Sequence, residues 1–233
     1  MQQKTVILMQ DVRFRWPGQQ RDILDIPELT LNAGERLLIR GSSGSGKTTL
    51  LNLITGINLP DAGSIQVLDT FLERLSAIKR DQFRADHLGV IFQQFNLLPY
   101  LSLVENVQLP CWFSSPRKSK APEGVTKAAL RLLDELSIPQ ALSHKPVNAL
   151  SVGQQQCVAV ARALMGRPEI IIADEPTSSL DMDNRNRFLE LLFAEASQLG
   201  SALVFVSHDP YIANHFSRVI EMSEINRSKE EIA

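Results

Sequence analysis

The strongest chemical signal in the sequence is a short glycine-rich segment, which reads Gly41-Ser42-Ser43-Gly44-Ser45-Gly46-Lys47-Thr48. Its spacing fits the pattern G-x-x-x-x-G-K-[ST], which binds phosphate groups when it follows a strand and opens a helix. Glycines let the backbone curve around a polyphosphate, and the helix N-terminus adds partial positive charge. We expect Lys47 to reach the β- and γ-phosphates and Thr48 to ligate Mg²⁺, so that Gly41–Thr49 hold a nucleotide.

A pair of adjacent acidic residues, Asp174 and Glu175, follows the apolar run Ile170–Ala173. Ligands of α/β proteins bind at the carboxyl ends of the strands, so both acids are expected beside the phosphate-binding segment. Asp174 would hold Mg²⁺ directly or through water, and Glu175 would accept a proton from an attacking water. Two acids after a strand are common in themselves. It is the upstream phosphate-binding pattern that favours the catalytic interpretation over a structural one.

The elements that must position these residues alternate between apolar strand-like runs and helical patterns. Strand-like runs lie at Val6–Met9, Arg36–Arg40, Val67, Leu88–Phe92, Ile170–Ala173 and Ala202–Val206. Helical patterns lie at Lys47–Ile54, Gln154–Met165 and Asp183–Gln198. This alternation predicts an α/β fold with a parallel sheet and crossover helices.

The stretch from about 96 to 149 has a different character and is predicted to be a helical subdomain. Its helix-like segments, Leu103–Gln108 and Val125–Leu136, are interrupted by prolines at positions 110, 116, 122, 139 and 146. The run Ser114–Pro122, which includes Arg117, is expected to be an exposed loop. Residues 1–95 and 150–233 would form the nucleotide-binding core of a single domain. The polar tail after Met222 is expected to be disordered.

Composition narrows the class of protein. The net charge of −2 gives no support to a nucleic-acid-binding surface, which is usually strongly basic. Cys111 and Cys157 have neither CxxC nor metal-ligand spacing, which indicates reduced thiols. The apolar runs are far shorter than the ~20 residues of a membrane helix, and the N-terminus lacks a signal-peptide pattern. These features predict a cytosolic or peripheral protein.

Several further motifs resemble those of the ATP-binding cassette (ABC) ATPases, and they occur in the same order as in that family. Leu150-Ser151-Val152-Gly153-Gln154 resembles the family's LSGGQ signature, and Asp174-Glu175-Pro176-Thr177-Ser178-Ser179-Leu180-Asp181 its Walker B motif and D-loop. Phe92-Gln93 is similar to the Q-loop, Ser207-His208-Asp209 to the switch-histidine motif, and Trp16 to the adenine-stacking aromatic. The agreement extends from about Trp16 to His208, nearly the whole chain.

The resemblance implies a P-loop NTPase fold of the ABC type: a mixed sheet core with an antiparallel β subdomain and an α-helical subdomain. It implies ATP and Mg²⁺ as cofactors and a homodimer that closes on ATP. In that dimer Ser151, Gly153 and Gln154 would contact the nucleotide of the opposite copy, and Asp181 would link the two sites. His208 would contact the γ-phosphate, and Gln93 would contact Mg²⁺ or water. A structural role stays open for His208, and a core or turn role for Trp16.

The run Gln93-Gln94-Phe95-Asn96-Leu97-Leu98-Pro99, followed by Leu103-Val104-Glu105-Asn106-Val107, resembles the lipoprotein-releasing and macrolide-export branch, with the cell-division FtsE type nearby. That likeness implies a separate transmembrane permease, contacted through Leu97–Tyr100, and a peripheral location at the cytoplasmic face of the inner membrane. The membrane would be contacted only through the permease.

Other functions on a similar core remain alternatives. A non-transport regulator of cell division would use the same chemistry with a different partner. DNA-repair heads of this kind carry long coiled-coil insertions, and translation factors carry two cassettes, neither of which is seen in this sequence. A GTPase would need an Asn-Lys-x-Asp motif, which is also absent from it.

Two positions depart from the family pattern. Val152 replaces a glycine of the signature, which would strain the backbone if the position needs positive φ but would only crowd it if φ is negative. We expect valine to be tolerated and ATP still to close the dimer. Cys157 replaces an arginine, and a thiol cannot supply the fork of donors of a guanidinium, so a contact of the signature helix could be weaker.

Overall fold

A computed structural model describes residues 4–178, 180 and 182–228. The strands are Thr5–Phe14 (β1), Leu24–Asn32 (β2), Arg36–Arg40 (β3), Ala62–Val67 (β4), Thr70–Phe71 (β5), Leu88–Ile91 (β6), Ile170–Asp174 (β7), Ala202–Val206 (β8) and Arg218–Glu221 (β9). The α-helices are Lys47–Ile54 (α1), Ala77–His87 (α2), Leu103–Phe113 (α3), Ser115–Ser119 (α4), Val125–Glu135 (α5), Val152–Leu164 (α6), Met182–Leu199 (α7) and Met222–Ile225 (α8). Within these residues, no helix has the length and apolar character needed to cross a membrane.

The chain divides into two compact units. The first comprises Met1–Arg84 and Ala202–Ala233, and the second comprises Ala85–Ser201. The helical subdomain predicted at 96–149 therefore falls inside the second unit, which also contains β6 and β7. Asp181 lies outside the described residues, so its predicted role in linking two sites remains a prediction.

An antiparallel sheet in the order β2-β1-β4-β5 forms one part of the first unit. β1 buries Met9, Val12 and Phe14, and its polar residues between them face solvent, which is the alternation expected of a half-buried strand. The sequence pattern alone predicted only the first half of β1, Val6–Met9, and the last residue of β4, Val67. The antiparallel subdomain that the family resemblance implied is confirmed.

Three parallel strands form the other part of the first unit, with β3 between β8 and β9. Every side chain of β8 is buried, as expected for a strand covered on both faces. Ile39 pairs with Val206, so the carboxyl ends of β3 and β8 lie side by side. The predicted bounds of β3, α1 and β8 are confirmed residue for residue.

The second unit combines the parallel pair β6–β7 with helices. Leu88 pairs with Ile170 and Ile91 with Ala173, so these two strands also end at the same edge. α6 packs against β6 and α3, and α3 packs against α5. Because α6 is apolar on most of its surface, it is nearly enclosed by these neighbours after its first turn.

Helix α3 runs through Pro110, where the sequence predicted an interruption. Proline lacks the N–H that would bind the carbonyl of Asn106, and inside a helix it costs about 3 kcal/mol. A capping box between Ser102 and Glu105 starts the helix, and side chains such as Val107 are fully buried. Because each such side chain stabilises by about 1.5–3 kcal/mol, packing outweighs the proline.

The expectation of an exposed loop at Ser114–Pro122 is wrong. Residues 115–119 form α4, and Arg117 is only 2% exposed. Its guanidinium donates to the backbone carbonyls of Met165 (2.7 Å), Leu88 (3.1 Å) and Ala163 (2.7 Å). The carbonyls at the end of α6 have no intrahelical donor, so a buried cation satisfies them. Burial lowers the pKa of Arg117 to about 10, which leaves it charged at neutral pH.

The described part of the polar tail, up to Ser228, is fixed by hydrogen bonds, contrary to the expectation of disorder. The side-chain amide of Asn226 donates to the carbonyl of Ile23 at 3.0 Å and accepts from the N–H of Asp25 at 2.8 Å. The hydroxyl of Ser228 donates to the same carbonyl of Ile23 at 2.9 Å. These bonds fasten the tail to the start of β2, which explains how a polar segment holds a fixed position.

Candidate functional site

The phosphate-binding segment forms a closed loop between β3 and α1. The side chain of Lys47 lies inside the loop, where its Nζ donates to the carbonyls of Gly41 and Ser42, each at 2.8 Å. Ser45 braces the loop by donating from its hydroxyl to the carbonyl of Ser42 at 2.9 Å. The loop therefore surrounds a fixed positive charge, which is the arrangement that a phosphate group needs.

The start of α1 explains why the loop ends in glycine. Gly46 is the N-cap residue and has φ of 95°, which residues with a Cβ rarely adopt. The first turn of α1 contains no acidic residue. The N-terminal N–H groups and the helix dipole could therefore attract an anion without competition from a carboxylate in the same turn. Thr48 is exposed there, whereas Thr49 is buried.

His208 follows the strand next to the one that carries the loop. The N–H of Ser207 donates to the carbonyl of Ile39 at 3.2 Å, and the hydroxyl of Ser207 accepts from the N–H of Asp209 at 3.1 Å. This tight turn leaves His208 exposed at the edge where β3 opens into the loop. The first unit thus brings His208 and the phosphate-binding loop to one edge of its parallel strands.

Trp16 lies just beyond the end of β1. Its ring is half-buried and meets Phe14 edge to face, with 5.0 Å between the ring centroids. Phe14 is buried, so it fixes the tilt of the indole while part of the ring stays accessible. A supported, partly open aromatic ring can stack on a base, and this geometry suits that role.

In the second unit, the two parallel strands bring Gln93 and the acidic pair to one edge. Gln93 lies two residues after the end of β6 and is exposed. Asp174 ends β7 and Glu175 follows it, and both are half-buried. Glu175 has φ of 47°, a left-handed conformation that the turn after β7 imposes. An amide and two carboxylates therefore follow the paired ends of β6 and β7, at the same edge of this strand pair.

The signature segment starts α6 with a capping box. The hydroxyl of Ser151 accepts from the N–H of Gln154 at 3.3 Å, and the side-chain oxygen of Gln154 accepts from the N–H of Ser151 at 3.0 Å. The N–H groups of Val152 and Gly153 come first in the helix and have no intrahelical acceptor. The segment therefore presents two donors at a helix N-terminus, as an anion site requires.

The alternative of a strained Val152 is excluded. Val152 is the first residue of α6 and is not among the described residues with positive φ. Its side chain is 52% exposed, so valine fits within the chain and adds apolar surface at the helix start. Closure of the dimer by ATP despite this valine remains a prediction.

Nothing within the described chain requires a glycine at position 153. Its φ is not positive, and a Cβ built there would have no atom within 4 Å. Glycine costs a helix about 0.5–1 kcal/mol relative to alanine. The space around this position is open, and we therefore expect a group from outside the chain to approach the helix backbone there.

Gly153→Ala is therefore expected to change stability and activity in opposite directions. The free energy of unfolding should rise by up to about 1 kcal/mol. ATP hydrolysis should fall, because a methyl group blocks the approach to the helix N-terminus. Urea unfolding and steady-state phosphate release measure the two effects. A destabilised variant, or a stabilised one with unchanged hydrolysis, contradicts the interpretation.

Cys157 lines a cavity of ≈ 220 Å³ beside the signature segment, together with Ser151, Gly153 and Arg187. Burial raises the pKa of the Cys157 thiol, so it is protonated and a poor nucleophile at neutral pH. A longer side chain at position 157 would enter this cavity, which Arg187 also lines. The effect of Cys157 on turnover stays a prediction.

The sequence patterns missed two polar residues of α6 that contact this region, Gln156 and Arg162. Gln156 is 1% exposed and donates to the carbonyl of Pro176, and Arg162 donates to the carbonyls of Phe95 and Asn96. Their partners are backbone atoms, which leave no trace in residue identity. The only available signal was the presence of two polar side chains in a helix that is mostly apolar after its first turn.

Comparison with known proteins identifies relatives in the same family that the sequence motifs resemble. A family model for ABC transporters matches residues 24–178. The lipoprotein-releasing system ATP-binding protein LolD of Chromohalobacter salexigens is 36% identical over 217 residues, which are 93% of this chain and 90% of that protein. The macrolide export ATP-binding/permease protein MacB of Burkholderia thailandensis is 38% identical over 215 residues, 91% of this chain. The chain spans only 32% of the length of that MacB protein.

Solved structures agree with these relatives. The dimeric ABC transporter cassette MJ0796 superimposes with a TM-score of 0.80 at 34% identity, covering 92% of this chain and 93% of that chain. A post-hydrolysis dimer of the same cassette bound to ADP and Pi gives the same TM-score at 33% identity. The predicted fold class and branch are confirmed, and the cell-division alternative is not favoured by these relatives.

Proposed function

Because the chain belongs to the ABC transporter ATPase family, we propose that it hydrolyses MgATP as a dimer and thereby drives a membrane permease. Binding and hydrolysis of ATP follow from family membership, since a homologous cassette holds ADP and Pi after hydrolysis. The residue roles, the magnesium ion and the permease make up the proposal. The observation that supports it most strongly is the closed loop around Lys47, with its Nζ 2.8 Å from two loop carbonyls.

Magnesium suits the oxygen donors that the chain offers. Thr48 supplies a hydroxyl, Asp174 a carboxylate and Gln93 an amide oxygen, and Mg²⁺ prefers oxygen ligands. Mg²⁺ usually takes only one or two protein ligands and shares the rest of its shell with phosphate oxygens and water, which a set of this size allows. When bound, the ion would neutralise charge that develops on the transferred phosphoryl group.

The protein's own groups divide the work of hydrolysis. Glu175 would accept a proton from the attacking water, and Gln93 and His208 would orient water and the γ-phosphate. Lys47 and the N–H groups of the loop would stabilise negative charge on the phosphates. Trp16 would stack on adenine. We expect stabilisation by fixed charges to contribute most, since the loop and the start of α1 are held rigidly by their own hydrogen bonds.

A second copy would complete each site through the start of α6. Ser151, Gly153 and Gln154 would contact the γ-phosphate held by the other copy. The absence of any local reason for Gly153 supports a close approach from outside, and the dimeric state of the homologous cassette MJ0796 supports a second copy as its source.

A short loop before α3 would contact the permease. Tyr100 is 77% exposed, and the loop around it is organised by Asn106, which is fully buried. The amide of Asn106 donates to the carbonyls of Leu98 (3.0 Å) and Leu101 (3.3 Å) and accepts from the N–H of Leu98 (2.8 Å). A loop that is rigid and displays an exposed aromatic side chain is typical of a docking surface.

Tyr100→Glu is expected to abolish membrane attachment and leave ATP hydrolysis by the purified chain intact. Co-sedimentation with inside-out membrane vesicles from the cells that make the chain measures the first effect. Tyr211→Glu is the matched control, since Tyr211 is 75% exposed but lies in the first unit. Retained attachment of the Tyr100 variant, or equal loss by both variants, would contradict docking through this loop.

The permease is proposed to be a separate protein at the cytoplasmic face of the inner membrane. The LolD relative supports this, because it is named as the ATP-binding protein of a lipoprotein-releasing system. The MacB relative combines ATP-binding and permease parts in one protein, of which the chain matches a third. Export or lipoprotein release would then be a property of the permease.

A further inference from the structure

Two side chains of α6 hold the backbone beside two proposed reacting residues. Gln156 donates from its amide to the carbonyl of Pro176, the residue that follows Glu175. Arg162 donates to the carbonyl of Phe95 and to that of Asn96, at 2.7 Å for Asn96; these residues lie two and three positions after Gln93. All these contacts lie within the second unit.

Both of the bends that α6 holds are in conformations that need external support. Phe95 and Asn96 have φ of 58° and 47°, and Glu175 has φ of 47°. Residues other than glycine seldom adopt this left-handed region, and they stay there only where the surroundings impose it. The bonds from Gln156 and Arg162 reach carbonyls of these bends, so they are well placed to impose it.

We propose that Gln156 and Arg162 are positioning residues for ATP hydrolysis: Gln156 fixes the turn that carries Glu175, and Arg162 fixes the bend that follows Gln93. This inference rests on the proposed function, since it assumes the roles given there to Glu175 and Gln93. Because Ser151 is the N-cap residue of α6, one helix then joins the signature segment to the turns that carry both reacting side chains. Contact of a second copy with Ser151 would be transmitted through α6 to the water site.

A purely structural role would show itself differently. Burial of Gln156 and partial burial of Arg162 mean that both contribute to stability, and removal of either would lower the melting temperature in any case. Misplacement of a reacting side chain by about 1 Å, by contrast, can slow catalysis by about 100-fold without weakening substrate binding. A separation of kcat from KM and from stability therefore distinguishes the two roles.

The first experiment compares Gln156→Met and Arg162→Met with Val158→Ala. Methionine keeps the length of each side chain and removes its donors. Val158 lies on the same helix and is fully buried, so its truncation lowers stability but removes no hydrogen bond to either bend. We expect kcat of both methionine variants to fall by about tenfold or more, with KM for ATP unchanged. Val158→Ala should keep the wild-type kcat at a comparable melting temperature.

Arg162→Lys provides a variant that keeps one donor and the charge. It should recover part of the lost kcat, because an ammonium group reaches one of the two carbonyls. If Arg162→Met does not fold, Arg162→Lys is tested against the wild type in its place, with a smaller loss of kcat expected. Wild-type kcat in Gln156→Met and in the foldable Arg162 variant overturns the inference, as does an equal loss in Val158→Ala.

Double variants test whether each residue acts through its proposed neighbour. Arg162→Met should slow Gln93→Ala no further, and Gln156→Met should slow Glu175→Gln no further, because the group being positioned is already gone. If the losses of kcat in the two single variants multiply in the double variant, the positioning inference is overturned, while the proposed roles of Gln93 and Glu175 stand. If Gln93→Ala and Glu175→Gln themselves hydrolyse ATP at the wild-type rate, the proposed roles fail first and the inference falls with them.

Discussion

Glu175→Gln is expected to lower kcat for ATP hydrolysis by about 10²–10⁴-fold, the usual contribution of a general base. Glutamine has the shape of glutamate but cannot accept the proton of the attacking water. Asp174 and the phosphate-binding loop are unchanged, so affinity for ATP should be retained. Because the nucleotide then stays intact between two copies, MgATP should trap the variant as a dimer.

Single-turnover phosphate release and size-exclusion chromatography with MgATP measure these effects. Glu190→Gln, an exposed glutamate of α7, is the matched control and should behave as the wild type. Hydrolysis by Glu175→Gln at the wild-type rate would remove Glu175 from the role of base. A slow variant that stays monomeric with MgATP would leave that role in place but contradict the ATP-bound dimer.

Arg117→Met is expected to lower the free energy of unfolding by about 3 kcal/mol or more. Its guanidinium satisfies three buried carbonyls, and each unsatisfied group costs about 1–3 kcal/mol, partly offset by relief from burying a charge. The lost contacts join α4 to the end of α6 and the start of β6, so the second unit should be the part that loosens.

Urea unfolding measures this effect, with Lys118→Met as the control. Lys118 is the next residue and is exposed, so its variant should lie within about 0.5 kcal/mol of the wild type. Arg117→Lys should fall between the two, because an ammonium group cannot reach three carbonyls at once. An Arg117→Met variant as stable as Lys118→Met would show that the buried guanidinium contributes nothing net.

The part of the fold that the sequence predicts well is the part governed by local pattern. β3, the phosphate-binding loop and α1 follow one another directly in the sequence. Each is specified by its own residues, whatever packs against it in the fold. The apolar run of β8 is rich in valine and phenylalanine, and β-branched and aromatic side chains favour a strand over a helix.

What the sequence could not predict depends on partners far away in the chain. Arg117 appears in a run of serine, proline and lysine, which is typical of solvent-exposed loops, and only the fold brings three carbonyls to it. Gln156 and Arg162 likewise bind backbone atoms, which any residue can supply. Pro110 lies within a helix because the burial of neighbouring side chains of α3 stabilises the helix by more than the proline destabilises it.

The most direct test of the account is the affinity of Lys47→Ala for ATP with and without Mg²⁺, measured by isothermal titration calorimetry. The wild type should bind ATP more tightly with Mg²⁺, and Lys47→Ala should lose about tenfold or more in affinity, because a charge-assisted contact to phosphate is removed. Lys79→Ala, an exposed lysine of the same unit, should bind as the wild type. Equal affinity in Lys47→Ala and the wild type, or affinity indifferent to Mg²⁺, would contradict nucleotide binding by this loop.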